Sequence, residues 1–418
     1  MQEQPKECPA CGLTLTVNSG FTVWCTSCEW NIDPDGTSRK NQLGERMARK
    51  LGVRWTESLY NNMAYELGAP TATWLRVVSY SAAAFYYVLF LYLMVYGLYL
   101  LLFFQSVFGL LLGIAMPLFG FFMRPFGRRK GSPLRLSRQD YPAIYEWVDT
   151  LSETMDARPV QEVHYNDSFN ASYYENIWGG SRTLTIGMPL LSILSEDEMQ
   201  ALLGHELGHN RHRDLAKHRF TLFALSGLGR LYYELIPKTD WSEWFGPIHH
   251  LNVAVRRLLR YIVFAFYSVI GLAVWLDRQK AEYRADEAGA EAGGVRASVS
   301  LLQKLHYSET FYRSTERIVH YAYRANIYDE FRERIRYLPE LETERIKRLM
   351  ERASTSVDAS HPPTSYRIRH LERRPNIEGA TRLALSAGWR EQFKEELARL
   401  EQSSSKRVLD GWRSHLYS

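Results

Sequence analysis

Leu202-Leu203-Gly204-His205-Glu206-Leu207-Gly208-His209-Asn210 is the stretch on which the reading of this chain turns. Its residues favour a helix, and Ser195-Glu196-Asp197-Glu198 just before it reads S-x-x-E, the capping box that opens one. On a helix, positions i and i+4 share a face. His205 and His209 therefore present two imidazoles to one point, and Glu206 stands beside them with no duty as a ligand. Two His four residues apart with a Glu after the first is the pattern of a zinc-dependent peptide hydrolase, the Glu serving as general base.

A tetrahedral zinc that keeps one position for water needs a third protein ligand. The position six residues beyond His209 is Leu215, so the pattern with a third His there fails. His212 lies three residues past His209 and is one candidate. The other lies in Asp277-Arg278-Gln279-Lys280-Ala281-Glu282-Tyr283-Arg284-Ala285-Asp286, where Glu282 and Asp286 are i and i+4 on an expected helix. There a Glu can bind zinc while an Asp one turn on accepts a hydrogen bond from a ligand imidazole. A solvated helix with alternating charges has the same composition.

With both stretches in hand, the chain resembles the HtpX family of membrane-bound zinc endopeptidases, to which the CAAX prenyl proteases and mitochondrial stress proteases are related. Asn170-Ala171 before an expected strand, Asp214 five residues after His209, and His361-Pro362-Pro363 with Arg367-Ile368 are similar to further marks of that family, in the family's order across residues 135–375. The resemblance implies Glu282 as third zinc ligand, with Asp286 and Asp214 supporting the ligands. It also implies Asn170, His361 and Arg367 as contacts to substrate or transition state, although closing the fold is an equal role for His361 and Arg367. The chain departs at Ser172-Tyr173, where the family has a small residue, so the substrate cleft is expected to differ. The prenyl-protease branch carries many more spans than this chain offers.

The expected fold class is α+β, mainly helical: a zincin-like core with a small edge sheet, a transmembrane hairpin and an N-terminal zinc ribbon. Helix is expected over 140–155 and strands over 160–165 and 182–186. Arg182–Gly187 is the expected sheet edge, where an extended substrate would add as a further strand. The core falls in two parts, 124–219 and 277–375, followed by a tail, 376–418, whose helix over 381–401 reads as solvated.

Of 418 residues, 51 are Lys or Arg and 46 Asp or Glu, a net charge of +5 that does not indicate a nucleic-acid partner. Mean hydropathy is −0.30, yet residues 77–123 hold no Lys, Arg, Asp or Glu. That run exceeds the ~20 residues of one span and predicts a hairpin turning near Gln105-Ser106. Basic residues flank both ends: Arg39, Lys40, Arg46, Arg49, Lys50, Arg54 and Arg76 before, Arg124, Arg128, Arg129 and Lys130 after. The excess of positive charge marks both flanks as cytoplasmic, and with them the N-terminus and catalytic helix of an inner or plasma membrane protein. A second apolar hairpin is expected over 220–276. Arg230 within it would be costly in lipid, so it either enters the bilayer or forms a soluble insertion. Residues 39–76 read as a basic linker with an amphipathic helix over 43–67, at the membrane surface or packed on the core.

The four cysteines are Cys8, Cys11, Cys25 and Cys28. Two C-x-x-C knuckles within residues 1–38 form the paired pattern of a zinc ribbon. Residues 13–17 and 21–24 are its expected hairpin, and a structural zinc would hold a core too small to fold alone. Few basic residues stand there, so a protein partner is expected before DNA. Together these features predict a membrane-anchored zinc endopeptidase acting on unfolded or misassembled membrane proteins. The other class the sequence admits is a membrane-tethered zinc-ribbon scaffold or regulator with a dispensable peptidase site.

Overall fold

The computed structural model describes residues 6–18, 20–33, 73–104, 106–123, 134–175, 181–212, 214–236, 246–320, 326–352, 361–374 and 381–416. The amphipathic helix expected over 43–67, the turn residue Gln105, and the basic flanks at 39–54 and 124–130 lie outside the described residues.

The strands are β1 (Lys6–Glu7), β2 (Thr14–Leu15), β3 (Leu134–Arg135), β4 (Glu162–Asn166), β5 (Ala171–Glu175) and β6 (Arg182–Gly187). The helices run α1 (Thr73–Phe103), α2 (Val107–Met123), α3 (Pro142–Thr154), α4 (Met188–Leu191), α5 (Glu196–His212), α6 (Asp214–Glu234) and α7 (Gly246–Gly293). They continue with α8 (Val295–Lys304), α9 (Ser308–His320), α10 (Ile327–Arg336), α11 (Glu340–Arg352), α12 (Thr364–Glu372) and α13 (Trp389–Leu416). The chain divides into two compact units, and α7 belongs to both: its residues to Lys280 lie in one and those from Ala281 in the other.

The unit formed by α1, α2, α6 and the first part of α7 has the inverted surface of a lipid-facing bundle. Ala83, Tyr86, Met123, Ala224, Leu228, Ile270 and Val274 are buried among the helices. Val88, Leu91, Phe103, Val107, Phe108 and Leu258 are more than half exposed. An apolar surface that broad marks a membrane or partner face in place of a water-facing one. Two helices, Trp74–Phe103 and His250–Gly293, are long and apolar enough to cross a membrane. The second helix of the expected hairpin, α2, is 17 residues long, at the lower end of the roughly 17–25 that span the hydrocarbon core. The apolar segment 220–276 is helical on both sides, but α7 does not stop at 276; it runs 48 residues without a break.

The other unit holds the sheet, ordered β3-β4-β6-β5. β4 and β6 are parallel, with Val163 opposite Leu184; β5 is antiparallel to β6, with Tyr173 opposite Leu184. This corrects the expectation for Arg182–Gly187. β6 is paired on both sides, and Thr183 and Thr185 are buried along with Leu184 and Ile186. The edge strand is β5, whose Ser172 is exposed.

The tail is also corrected. Trp389, Phe393, Leu400 and Val408 of α13 join the main core with Trp147, Val148 and Leu151 of α3. Glu396 of α13 is fully buried. Its two oxygens accept the backbone N–H groups of Ala143 and Ile144, each at 2.9 Å. Those are donors that the first turn of α3 cannot satisfy itself, and the carboxylate also meets the positive end of the helix. α13 is thus a core helix that supplies the cap for another.

α5 and the last turns of α7 pack at backbone contact. A Cβ on Gly204 would lie 2.5 Å from the Cβ of Ala292 and 3.0 Å from the carbonyl oxygen of Ala288; one on Gly208 would lie 2.8 Å from the Cβ of Ala288. Gly289 of α7 likewise faces Ala201 of α5, where a Cβ would lie 2.8 Å from the Ala201 carbonyl oxygen, so small residues on both helices let the two axes approach so closely.

In the ribbon, β1 pairs with β2, Lys6 opposite Leu15. The hairpin therefore closes over the first knuckle and does not join residues 13–17 to 21–24 as expected. Residues 21–24 instead turn their side chains onto helices of the same unit. Trp24 is buried beneath the Arg348 guanidinium, and Phe21 lies under that of Arg334, both at 5.2 Å.

Two substitutions test this packing. Glu396→Ala strands two buried N–H groups and is expected to destabilise the fold by about 2 kcal/mol or more; an unchanged unfolding midpoint in denaturant would exclude the cap. Gly204→Ala is expected to cost about 1–3 kcal/mol through overpacking, whereas a helical glycine free of contact would gain from the same change. Thermal unfolding gives the sign.

Candidate metal centre

The capping box expected at the start of α5 is formed. Glu198 Oε2 accepts the Ser195 N–H at 2.7 Å, and Ser195 Oγ accepts the Glu198 N–H at 3.3 Å. Lys304 Nζ and Ser300 Oγ of α8 also donate to Glu198. Burial opposes ionisation of this carboxyl, but those donors hold it below its ordinary range. The far end of α5 is tied by Asn210, fully buried. Its amide donates to the Arg158 carbonyl at 2.6 Å, and Arg158 grips Glu175 at the end of β5 through both guanidinium nitrogens, at 2.9 and 2.8 Å. α5 is thereby fixed against the edge strand.

Between these anchors, His205 and His209 point at Glu282 of α7. Nε2 of His205 lies 3.6 Å from Glu282 Oε2, and Nε2 of His209 lies 3.6 Å from Glu282 Oε1. The ligand atoms of all three residues lie within 4.8 Å of one another. Atoms bound at 2.0–2.1 Å around a tetrahedral zinc stand about 3.4 Å apart, so two imidazoles and a carboxylate at these separations fit such an ion. His212, the other candidate for third ligand, does not join this group among the described residues.

The partners of the ligands fit too. His205 Nδ1 lies 3.0 Å from Asp286 Oδ1, so its N–H is spent on a carboxylate and Nε2 is turned inward as the metal-facing nitrogen. Arg367, buried, donates Nε to Asp286 Oδ2 at 2.8 Å and its Nη2 to Oδ1. Burial alone would lower the His205 pKa, but hydrogen bonds to Asp286 and Glu282 reverse the balance and raise it to about 10. The surrounding carboxylates favour a positive charge at this position, as a site for a divalent cation would.

His361 Nδ1 lies 2.6 Å from Glu282 Oε2, and the His361 side chain is half exposed. It touches the carboxylate and faces outward as well. Asn170 is exposed; its backbone carbonyl accepts the Gly187 N–H at 2.8 Å. The side chain of Asp214 lies outside the described residues. Arg367 reaches Asp286 and stands 4.0 Å from Glu282, where it orients other side chains.

The backbone of Tyr173 is a partner that sequence reading missed. Its N–H donates to Glu206 Oε2 at 2.8 Å, so the edge strand β5 holds one oxygen of the carboxylate next to the two imidazoles. No side-chain pattern could have revealed a main-chain donor. The Tyr173 side chain is buried, and burial pushes its phenol up to about 12.

The ribbon holds a second cluster. Cys8, Cys11, Cys25 and Cys28 bring their sulfurs within 4.8 Å of one another, with Cys8 to Cys28 and Cys11 to Cys25 both at 3.5 Å. That is far beyond a disulfide bond, ~2.05 Å, and close to the ~3.8 Å edge of a tetrahedron of thiolates bound at ~2.3 Å. The Cys28 N–H, donated to the Cys25 sulfur, holds that thiol down at about 6. Four sulfurs at these separations could hold one metal ion.

Comparison with known proteins agrees with this geometry. Residues 151–375 match the profile of Peptidase family M48. A protease HtpX homolog from Pyrobaculum calidifontis is 27% identical over 249 residues, covering 56% of this chain and 68% of the relative. Protease HtpX of Pseudomonas putida is 25% identical over 216 residues, covering 49% and 70%. That of Stutzerimonas stutzeri is 26% identical over 212 residues, covering 48% and 70%. No solved structure matches the chain. The matched span holds the helix of His205 and His209, the helix turn of Glu282 and Asp286, and the Arg367 that joins them: the chain belongs to peptidase family M48.

Proposed function

We propose that this protein is a membrane-anchored zinc endopeptidase that cleaves unfolded or misassembled membrane proteins in segments on the cytoplasmic side. The observation that carries this reading is the convergence of His205, His209 and Glu282 with Glu206 left outside the ligand group. Glu206 is instead held by a main-chain N–H of the edge strand. A protein that only stored or sensed a metal would have no use for that carboxylate.

His205, His209 and Glu282 would hold the zinc; when bound, it supplies Lewis acidity, polarising a peptide carbonyl and acidifying water. The other steps belong to side chains and backbone. β5 lies at an edge of the sheet; an extended segment laid along it would align a scissile bond through main-chain hydrogen bonds, which demands local unfolding. Glu206 takes a proton from the attacking water and passes it to the leaving amine. Its Oε2 is fixed by the Tyr173 N–H, so substrate strand and base share one scaffold. Asp286 fixes the tautomer of His205, and Arg367 fixes Asp286. His361, half exposed beside Glu282, and Asn170 are the candidate contacts to substrate. Asp214 is assigned a supporting role by resemblance.

The membrane part of the proposal rests on the charge-free run 77–123 and on two helices of spanning length. Basic flanks on both sides of that run support a cytoplasmic N-terminus and site under the positive-inside rule. The four cysteines would hold a second, structural zinc.

Glu206→Gln is expected to keep both zinc ions and the fold while hydrolysis of an unfolded substrate such as casein falls by about 10²–10⁴, the range of general acid–base catalysis. Full activity in that variant would exclude the mechanism. Glu282→Ala is expected to lose one zinc by metal analysis. Retention of both, with loss from His212→Ala instead, would reassign the ligand.

Topology is tested with a membrane-impermeant thiol reagent on intact cells. Cysteines introduced near Lys40 and at the C-terminus should stay unlabelled until the membrane is opened. Labelling from outside would overturn the orientation.

A further inference from the structure

The ribbon does not stand off from the peptidase unit. Three arginines of α10 and α11 grip its backbone. Arg345 Nη1 donates to the Ile32 carbonyl at 2.9 Å, Arg348 Nη1 to the Thr26 carbonyl at 2.7 Å, and Arg334 Nη1 to the Gly20 carbonyl at 3.3 Å. Arg345 is 2% exposed. Its remaining nitrogens are neutralised by Glu342, through Nε at 2.8 Å and Nη2 at 2.7 Å, and by Glu309 of α9 at 2.7 Å. Glu309 in turn accepts the Thr22 hydroxyl of the ribbon.

These contacts use carbonyl positions that exist only when residues 20–32 are folded. In so short a segment, folding depends on the four sulfurs being held together. Removing the ribbon would leave Arg345 and its two carboxylates without the Ile32 carbonyl and the Thr22 hydroxyl. A buried donor that loses its acceptor is destabilised by the hydrogen bond left unmade.

Two routes of direct contact lead from this interface to the metal centre. α11, gripped through Arg345 and Arg348, packs on α12. α12 carries the Arg367 that holds Asp286 and, through it, His205. The second route begins at Glu309 in the first turn of α9. Three residues earlier, His306 Nε2 lies 2.9 Å from the Thr364 hydroxyl at the start of α12. His306 is half-buried, and desolvation followed by the Arg367 charge lowers its pKa to about 4, so it is a neutral hydrogen-bonding partner at neutral pH. Both routes converge on α12, the helix that orients the side chains behind the ligands.

We propose that the ribbon is an intramolecular clamp whose metal occupancy sets the order of α12 and so the affinity of the peptidase site for its own metal. The partner of the ribbon is then the α9–α11 face of the same chain. The effect on hydrolysis rests on the function proposed above; the coupling between the two metal sites does not.

The test uses the full-length protein in detergent and the double variant Cys11→Ser/Cys28→Ser, in which both replaced thiols are exposed. Zinc stoichiometry should fall from two to one. Amide hydrogen exchange should rise in residues 20–32 and also in 364–372. Competition with a graded chelator should show the remaining zinc bound about fivefold or more weakly, the lower end of measured coupling between separate sites.

Arg348→Gln, at a half-exposed edge of the interface, should reproduce the exchange change in 364–372 while keeping two zinc ions, separating the clamp from the metal itself. If the double variant loses ribbon zinc yet retains wild-type exchange in 364–372 and wild-type affinity for the other zinc, the clamp is overturned. If the parent binds two zinc ions and shows the coupling but cleaves no peptide, the clamp stands and the peptidase reading fails.

Discussion

The metal centre depends on one steric allowance: α5 and the final turns of α7 touch backbone to backbone because Gly204 and Gly208 face Ala285, Ala288 and Ala292. The two ligand-bearing helices come from stretches more than seventy residues apart, and nothing local tells them to meet. At ordinary helix spacing, 8–10 Å between axes, a Glu side chain reaching from one helix would have to bridge the added gap to both imidazoles. At this contact Glu282 meets His205 and His209 at the same distance. The helical repeat then places Asp286, one turn on, behind His205. The catalytic geometry is therefore set by small side chains with no chemistry of their own.

Around that seam, buried charge fixes orientation in a repeated way. Asp286 with Arg367, Glu198 with Lys304, and Arg345 with Glu342 are each ion pairs with their partners mostly withdrawn from water. Such pairs add little net stability, since desolvation offsets much of the attraction, but losing one partner is costly. Two of these pairs join distant elements, α7 to α12 and the start of α5 to α8; the third lies within α11 and leaves Arg345 Nη1 to reach the ribbon carbonyl of Ile32. An apolar contact in these places would hold the elements together while permitting sliding. A bidentate guanidinium permits much less. At a site that must bring three ligand atoms to the corners of a tetrahedron, that restriction is what the polar burial contributes.

What could be read from the chain divides along the same line. The capping box at Ser195 and Glu198, the shared face of His205 and His209, and the one-turn spacing of Glu282 and Asp286 are consequences of helical periodicity, and they stand as expected. The four cysteines announced their cluster by spacing. The misreadings all concern which elements become neighbours. Arg182–Gly187 reads as an edge, yet in β6, flanked by β4 and β5, Thr183 and Thr185 are buried as Leu184 and Ile186 are. Threonine suits a covered strand nearly as well as valine, so its alternation carries no signal of exposure. The helix over 381–401 reads as solvated, yet Glu396 is fully buried and caps another helix. Its role depends on the open N-terminus of α3, some 250 residues earlier, which no window along the chain contains.

Glu206 shows why the remaining part of the site was hidden. The residue itself was plain from the motif, but its partner is the main-chain N–H of Tyr173, a group every residue except proline carries. Tyr173 drew notice for its bulk, as a departure from the family's small residue, and bulk suggested a changed cleft. The structure turns the ring inward, buried, and presents the backbone to the base. Side-chain size at this position therefore acts on the seating of β5 and only through it on Glu206. Because β5 is also the open edge of the sheet, a substrate strand laid along it would share a backbone with the carboxylate's own anchor. Strain in that strand on substrate binding would pass directly to the proton-carrying group. Under the proposed function, alignment of the peptide and alignment of the base would be one structural variable, set by the pairing of β5 with β6 and by the Arg158 grip on Glu175 at its end.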